Sequence, residues 1–226
     1  MKYQIALINQ VWNDSLTDDQ KLSLGVLDFF IDTKTDNKIL VSQQEKTVYI
    51  TLSSTKTWWN WVQDFFEFPL FKNRRKHSST IKFHQGFWDA YATNREALLS
   101  YLKKINPERL TIEGHSQGGA TAGICAIDLL EQGYNVEELL MLACPKFTNK
   151  AGIDFLTSKI KTISSFLNGN DWIFWVAPFL KRLNYVRIGI KKKWVLFSFK
   201  DHQLADNPPG NQGYIHSLQN YLGTSY

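Results

Sequence analysis

Gly114-His115-Ser116-Gln117-Gly118 sets a serine between glycines two residues before and two residues after it. A serine becomes a nucleophile when the chain lifts its oxygen clear of the backbone and a base removes its proton. A tight turn from a strand into a helix does the first part. Glycines flanking such a turn let strand and helix approach without a side-chain clash, and the turn aims the first helical N–H groups at the place where an oxyanion would form. A pentapeptide of this type arises by chance in roughly one chain in twenty of this length. Its surroundings therefore decide its weight. Leu110 and Ile112 mark a strand that stops at Gly114, and Gly118, Gly119, Ala120, Ala122, Gly123 and Ala126 make a helix that is small and apolar all round. That is the setting the motif requires. His115 sits directly before the serine, where such a turn points it away from the nucleophile, so it reads as a packing or hydrogen-bonding histidine.

The elements needed to position that serine can be read along the chain. Residues 38–52 form two β runs around a polar turn at Gln43–Lys46, with Val48, Ile50 and Leu52 alternating against Tyr49 and Thr51. Residues 94–105 read as a helix capped by Asn94, with Leu98, Tyr101 and Leu102 on one face. The run LLMLACP (139–145) is continuously apolar, as in a parallel strand buried on both faces. A helix over 150–159, a strand over 161–167, two strands within 184–199 and a short terminal helix in YIHSLQNYL complete the order. Strands alternating with helices predict an α/β fold with a mostly parallel central sheet flanked by helices. No linker or repeat divides the chain, which predicts one domain over 1–226.

Composition narrows the field further. The chain has 226 residues, 43% hydrophobic and 21% charged, which excludes disorder, collagen and coiled coil as global descriptions. Its formal net charge is +5. Two cysteines supply neither a disulfide framework nor a zinc site, so no metal or cofactor is expected, and Cys125 and Cys144 read as free thiols. The N-terminal residues contain only the short apolar run IAL, against the 7–15 residues of a secretory signal and the ~20 of a membrane span. A cytoplasmic location is the resulting expectation.

Six segments in order resemble the class 3 lipases, the fungal-type triacylglycerol lipase group of α/β-hydrolases. GHSQGGA (114–120) is similar to the family's GHSLGGA elbow. TVYITLSSTKTWWNWVQDF (47–65) is similar to its strand and oxyanion loop, with Thr55, Thr57, Asn60, Trp61 and Asp64 at matching intervals. FHQGFWDAY (83–91), LACPKFTN (142–149), LNGNDWIFWVAP (167–178) and HSLQNY (216–221) resemble its HxGF, GSPRVGN, catalytic-Asp and terminal-histidine segments. The resemblance implies an α/β-hydrolase fold and a lipase or esterase. Its triad would be Ser116, Asp171 and His216, and its oxyanion hole the backbone N–H groups of Thr55 and Gln117. The order Ser, Asp, His is also the one an α/β-hydrolase sheet produces. The rivals are His202 for the base and Asp154 or Asp206 for the acid, and His84 reads as a structural histidine beneath the site. The chain departs from the family at Ser53-Ser54, where Arg-Gly is usual, at Gln117 for Leu, and at Ala143-Cys144 for Gly-Ser.

The resemblance also implies a lid at 64–80. There Phe65, Phe66, Phe68, Leu70 and Phe71 precede Lys72, Arg74, Arg75 and Lys76. A second basic cluster comprises Lys181, Arg182, Arg187 and Lys191 to Lys193. The expected partners are a lipid ester substrate and, peripherally, an anionic membrane surface. No nucleic-acid recognition motif accompanies the charge, so no nucleic acid is expected. Three other readings share these residues: a lipid-surface-binding protein of the same fold with impaired turnover, an acyltransferase, and a phospholipase.

Overall fold

The computed structural model describes residues 2–11, 16–53, 74–76, 80–168 and 186–188. In chain order the elements are α1 (Lys2–Gln10), α2 (Asp18–Ser23), β1 (Val26–Asp32), β2 (Asn37–Gln44), β3 (Thr47–Leu52), β4 (Arg74–Lys76), β5 (Lys82–His84), α3 (Gln85–Ile105), β6 (Arg109–His115), α4 (Gln117–Glu131), β7 (Val136–Leu142), α5 (Lys150–Lys159), β8 (Thr162–Asn168) and β9 (Val186–Ile188). The main sheet runs β1-β2-β3-β6-β7-β8-β9. The β1/β2 and β2/β3 pairs are antiparallel, and every pair from β3 to β9 is parallel. The α/β architecture with a mostly parallel sheet is therefore as predicted.

Helices cover both faces of the sheet, and this explains why β6 is buried from Leu110 to His115 and β7 from Leu139 to Leu142. Leu110, Ile112, Leu139 and Met141 face one core with α3 and α4, while Leu140 and Leu142 face a second core with Leu7, Ile8 and Val11 at α1. Among the described residues of the N-terminal helix and the turn that ends it, 4, 7, 8 and 11 form a buried stripe. Among the described elements β1 is one edge of the sheet. A bulge between Val26 and Asp28 interrupts its register, and the Asp28 carboxylate accepts the Phe29 N–H at 2.7 Å. Both features blunt an edge against pairing with another chain.

Helix α3 begins nine residues before the predicted start. Asn94 is buried in mid-helix, where its Nδ2 donates to the Asn37 carbonyl at 2.9 Å, instead of capping. The buried stripe Phe87, Trp88, Tyr91, Asn94, Leu98, Leu102 runs through both halves of the helix and carries it back to His84, which sits at the N-cap without a side-chain capping bond. α3 is clamped to α4 by one buried carboxylate. Asp128 accepts from the Tyr91 hydroxyl at 2.7 Å and from Arg95 Nε and Nη2 at 2.8 and 2.9 Å. Charge-assisted, two-pronged bonds of this kind are among the stronger polar contacts available to a protein.

A second fastening ties β5 to the loop after β7. Asn149 caps α5 by accepting the Gly152 N–H, and the same Oδ1 accepts the Lys82 N–H at 3.1 Å while Nδ2 donates to the Thr80 carbonyl at 2.8 Å. The His84 N–H donates to the Phe147 carbonyl at 2.9 Å. Phe147 in turn lies against Gly123 of α4, where an added Cβ would fall 2.3 Å from its ring. This gives a test of sign. At an open helical site Gly→Ala stabilises by about 1 kcal/mol. Here Gly123→Ala is expected to destabilise by roughly 1–3 kcal/mol through overpacking. A urea or thermal melt that shows stabilisation would contradict the packing described.

Candidate active site

The serine singled out by the sequence stands at the junction of β6 and α4. Ser116 has φ 55° and ψ −124°, a left-handed backbone that L-residues adopt only under constraint. Its neighbours impose it. The Ser116 N–H donates to the Leu142 carbonyl at 2.8 Å, joining the elbow to the end of β7, and the Ser116 carbonyl accepts the Ala120 N–H at 3.2 Å, opening the helix. A Cβ on Gly114 would lie 2.2 Å from the Gly118 carbonyl oxygen. A Cβ on Gly118 would lie 2.3 Å from the Leu52 carbonyl oxygen. The spacing read from the sequence is thus a steric requirement at both glycines. Gly119 is a third close approach, 3.2 Å from the Cys144 Cβ by the same construction.

Gln117 is the first residue of α4, so its N–H has no acceptor within the helix and belongs to the positive end of the helix dipole. That is the physical basis for an oxyanion donor at this position. Both Ser116 and Gln117 are buried. Ser53, the first of the Ser53-Ser54 pair that departs from the family pattern, is buried as well, and its N–H donates to the Lys38 carbonyl at 3.1 Å. Its amide therefore completes the sheet. Thr55, Asp171 and His216, together with the rivals His202 and Asp206, lie outside the described residues. Asp154, the remaining rival acid, lies on α5 paired with Lys150 at 2.6 Å, both side chains more than half exposed. That is a surface ion pair and excludes Asp154 as the orienting acid.

His115 is buried at 1% exposure, as its place before the serine requires. His84 packs its ring on Phe87 at 4.7 Å, and burial lowers its imidazole to about 4, so it is neutral through the physiological range. Both free cysteines are buried, and burial pushes the Cys125 thiol far above its ordinary value. Among the described residues no cluster of His, Cys, Asp and Glu could hold a metal ion, and no helix is long and apolar enough to cross a membrane. A surface cleft of about 550 Å³ between α2 and β1, lined by Leu22, Val26, Leu27 and Gln43, opens at the N-terminal end of β3. Ser116 follows the C-terminal end of β6, so this cleft is not part of the site.

The sequence reading missed Glu113. It lies three residues before the nucleophile on the α1 side of the sheet and is fully buried. Its Oε1 accepts from the Thr51 hydroxyl at 2.8 Å, and Oε2 has no hydrogen-bond partner. Burial drives its carboxyl well above the ordinary 4.5, with the Thr51 hydrogen bond opposing and the nearby Glu138 adding to the rise. The folded protein therefore keeps a proton that the unfolded chain releases above about pH 4.5, and stability falls as pH rises from there toward the raised value. Glu113→Gln mimics the protonated acid and does not titrate. Its melting temperature is expected to exceed that of the native protein by a margin that grows from pH 4 to pH 8. A margin independent of pH would show that Glu113 is not held protonated.

A mostly parallel sheet covered on both faces, with a serine strained at a strand-to-helix elbow between two close-packed glycines, defines an α/β-hydrolase scaffold. The lipase (class 3) family model matches residues 49–180, more than half of the chain, and the protein belongs to that family. A lipase of Rhizomucor miehei is 31% identical over 113 residues, 47% of this chain and 30% of that protein. A secreted mono- and diacylglycerol lipase of Malassezia globosa is 31% identical over 103 residues, 43% of this chain and 34% of that protein. These matches span about a third of each relative. Among solved structures, a triacylglycerol lipase described as having a serine protease triad at its catalytic centre aligns over 84% of this chain and 79% of its own, with TM-score 0.67 and 22% identity. A lipase from Rhizopus microsporus var. chinensis aligns over 85% and 74%, with TM-score 0.66 and 18% identity.

Proposed function

We propose that the protein is a serine carboxylic-ester hydrolase acting on lipid esters, acylglycerols or phospholipids, through an acyl-enzyme. The observation that carries this reading is the backbone of Ser116. A positive-φ serine wedged between two glycines that tolerate no Cβ serves no packing purpose, because a glycine would occupy the angle with less strain. In this reading His216 takes the Ser116 proton as the oxygen attacks the ester carbonyl. The negative charge that develops on the carbonyl oxygen is met by the N–H groups of Gln117 and Thr55. Collapse expels the alcohol, which receives the proton from His216. Water, activated by the same imidazole, then attacks the acyl-enzyme and releases the fatty acid. Asp171 holds the imidazole tautomer and stabilises the imidazolium. The names of the relatives, lipases of tri-, di- and monoacylglycerols, support a lipid substrate.

One observation favours a second reading, a lipid-surface protein with weakened turnover. The loop that should bring the other oxyanion donor begins at Ser53, whose N–H is held by Lys38, and the usual Gly is absent at position 54. Peripheral contact with an anionic membrane surface belongs to both readings.

Turnover of p-nitrophenyl butyrate separates the two. The native protein is expected to hydrolyse it, and Ser116→Ala to lose at least about 10³-fold in kcat, since removal of a triad nucleophile costs up to about 10⁶-fold. Rates for Ser116→Ala that coincide with the native rates end the hydrolase reading. The native rate should also rise with pH through the range 6–7, where an unperturbed imidazole loses its proton. A profile flat from pH 5 to 8 would remove His216 as the base.

A further inference from the structure

Gln117 carries a buried acceptor that the fold does not satisfy. The residue is 2% exposed, and its Oε1 receives no hydrogen bond. A buried carboxamide oxygen without a donor is destabilising, and an apolar residue of similar size removes the penalty. The family pattern has such a residue, Leu, at this position. The polar side chain therefore needs a reason other than folding.

The first turn of α4 fixes where that side chain lies. Gly118 faces the end of β3, where an added Cβ would fall 2.3 Å from the Leu52 carbonyl oxygen, and Gly119 faces the end of β7, 3.2 Å from the Cys144 Cβ. Successive helical residues turn by about 100°. Gln117, one residue earlier, therefore points away from the sheet. Helical side chains also lean toward the N-terminus of their helix, and Gln117 is the first helical residue. Its carboxamide projects past the start of α4, on the side of Ser116. Thr121, one turn later on the same face, donates its hydroxyl to the Gly118 carbonyl at 3.0 Å and is committed there. Ser116 is itself 0% exposed. Any ester that reaches its Oγ must first uncover the head of α4, and the neighbouring carboxamide with it.

An unpaired acceptor beside the reacting atoms is a preformed recognition element. It favours a substrate that brings a hydrogen to it and penalises one that does not. In a lipid ester the fatty acyl chain has no such group. The alcohol half has one wherever a hydroxyl is left unesterified. A hydroxyl both donates and accepts, so it answers a carboxamide in either orientation.

We infer that the Gln117 side chain is a specificity-determining contact for a free hydroxyl on the alcohol half of the ester, beside the scissile bond. The inference rests on the reading of the protein as a lipid-ester hydrolase. Gln117 then has two separate roles. Its N–H meets the oxyanion of every ester, and its side chain discriminates among alcohols.

The test compares 2-hydroxyethyl butyrate with propyl butyrate, esters of the same size in which a hydroxyl replaces a methyl group. The readout is the ratio of their kcat/KM values, because any effect of a substitution on the shared oxyanion step cancels in it. From the native protein to Gln117→Leu or Gln117→Met that ratio should fall at least about tenfold, the effect of one buried acceptor left without its donor. Neither variant should melt below the native protein, since each removes an unpaired buried acceptor. An unchanged ratio, or a melting temperature lowered by both substitutions, would overturn the inference. A pair of ethers that no esterase cleaves, 2-hexyloxyethanol and 1-propoxyhexane, keeps the two readings apart. The hydroxy ether should raise the native melting temperature more than the plain ether does, and Gln117→Met should abolish the difference. Equal shifts by the two ethers overturn the contact, with or without turnover. A hydroxyl preference among the ethers without ester turnover refutes the hydrolase and leaves the contact; turnover with an unchanged ratio does the reverse.

Discussion

The geometry of the site depends on one close approach of backbone to backbone. The first turn of α4 rests on the ends of β3 and β6 with no side chain between them, because Gly118 touches the Leu52 carbonyl and Gly114 touches the Gly118 carbonyl. That contact leaves Ser116 a left-handed conformation, which costs roughly 1–3 kcal/mol and must be held by its surroundings. The surroundings are continuous. The Ser116 N–H is tied to β7 through Leu142, and Ala143, itself at φ 47°, is tied to β8 through the Phe166 carbonyl. Two strained residues at neighbouring strand ends are thus braced by the same sheet. α4 is braced in turn by Phe147 seated at Gly123 and by the Asp128 clamp to α3.

Residues whose types are dictated by local sterics were the ones legible in the sequence. Gly114 and Gly118 announce the elbow because nothing else fits there. The strands β2, β3, β7 and β8 and the helix α5 appear within a few residues of their predicted bounds, and alternation and continuous apolar runs state the strands directly. The elements that were missed are those whose signal depends on a partner distant in the chain. α1 shows its stripe only once Gln4 is counted with Leu7, Ile8 and Val11, and Gln4 is buried only because the sheet lies beneath it. β1 carries adjacent phenylalanines and a bulge that shifts its period. The first turns of α3 lack a capping side chain, so Asn94 offered a false start. For the site, Ser116 and Gln117 follow from the residues themselves. Asp171, His216 and Thr55 follow from the family, because no local pattern marks an acid or a base brought in from elsewhere in the chain.

The two faces of the sheet do different work around the same strand. On the α3/α4 side, glycines and alanines bring helices close enough to present the nucleophile. On the α1 side, Glu113 and His115 are buried with Thr51 in a polar patch beside the second core. Burial there favours the neutral form of Glu113, a residue three positions from Ser116.

The central claim is that the strained serine at the head of α4 forms the covalent intermediate and that Asp171 and His216 converge on it. It is tested most directly by a crystal structure of the protein inactivated with an alkyl fluorophosphonate ester. The account expects phosphorus bonded to Ser116 Oγ, its oxygen within about 3 Å of the Gln117 N–H, and the His216 imidazole between the adduct and the Asp171 carboxylate. An unmodified Ser116, or an adduct at Ser116 with His216 turned to solvent, would contradict it.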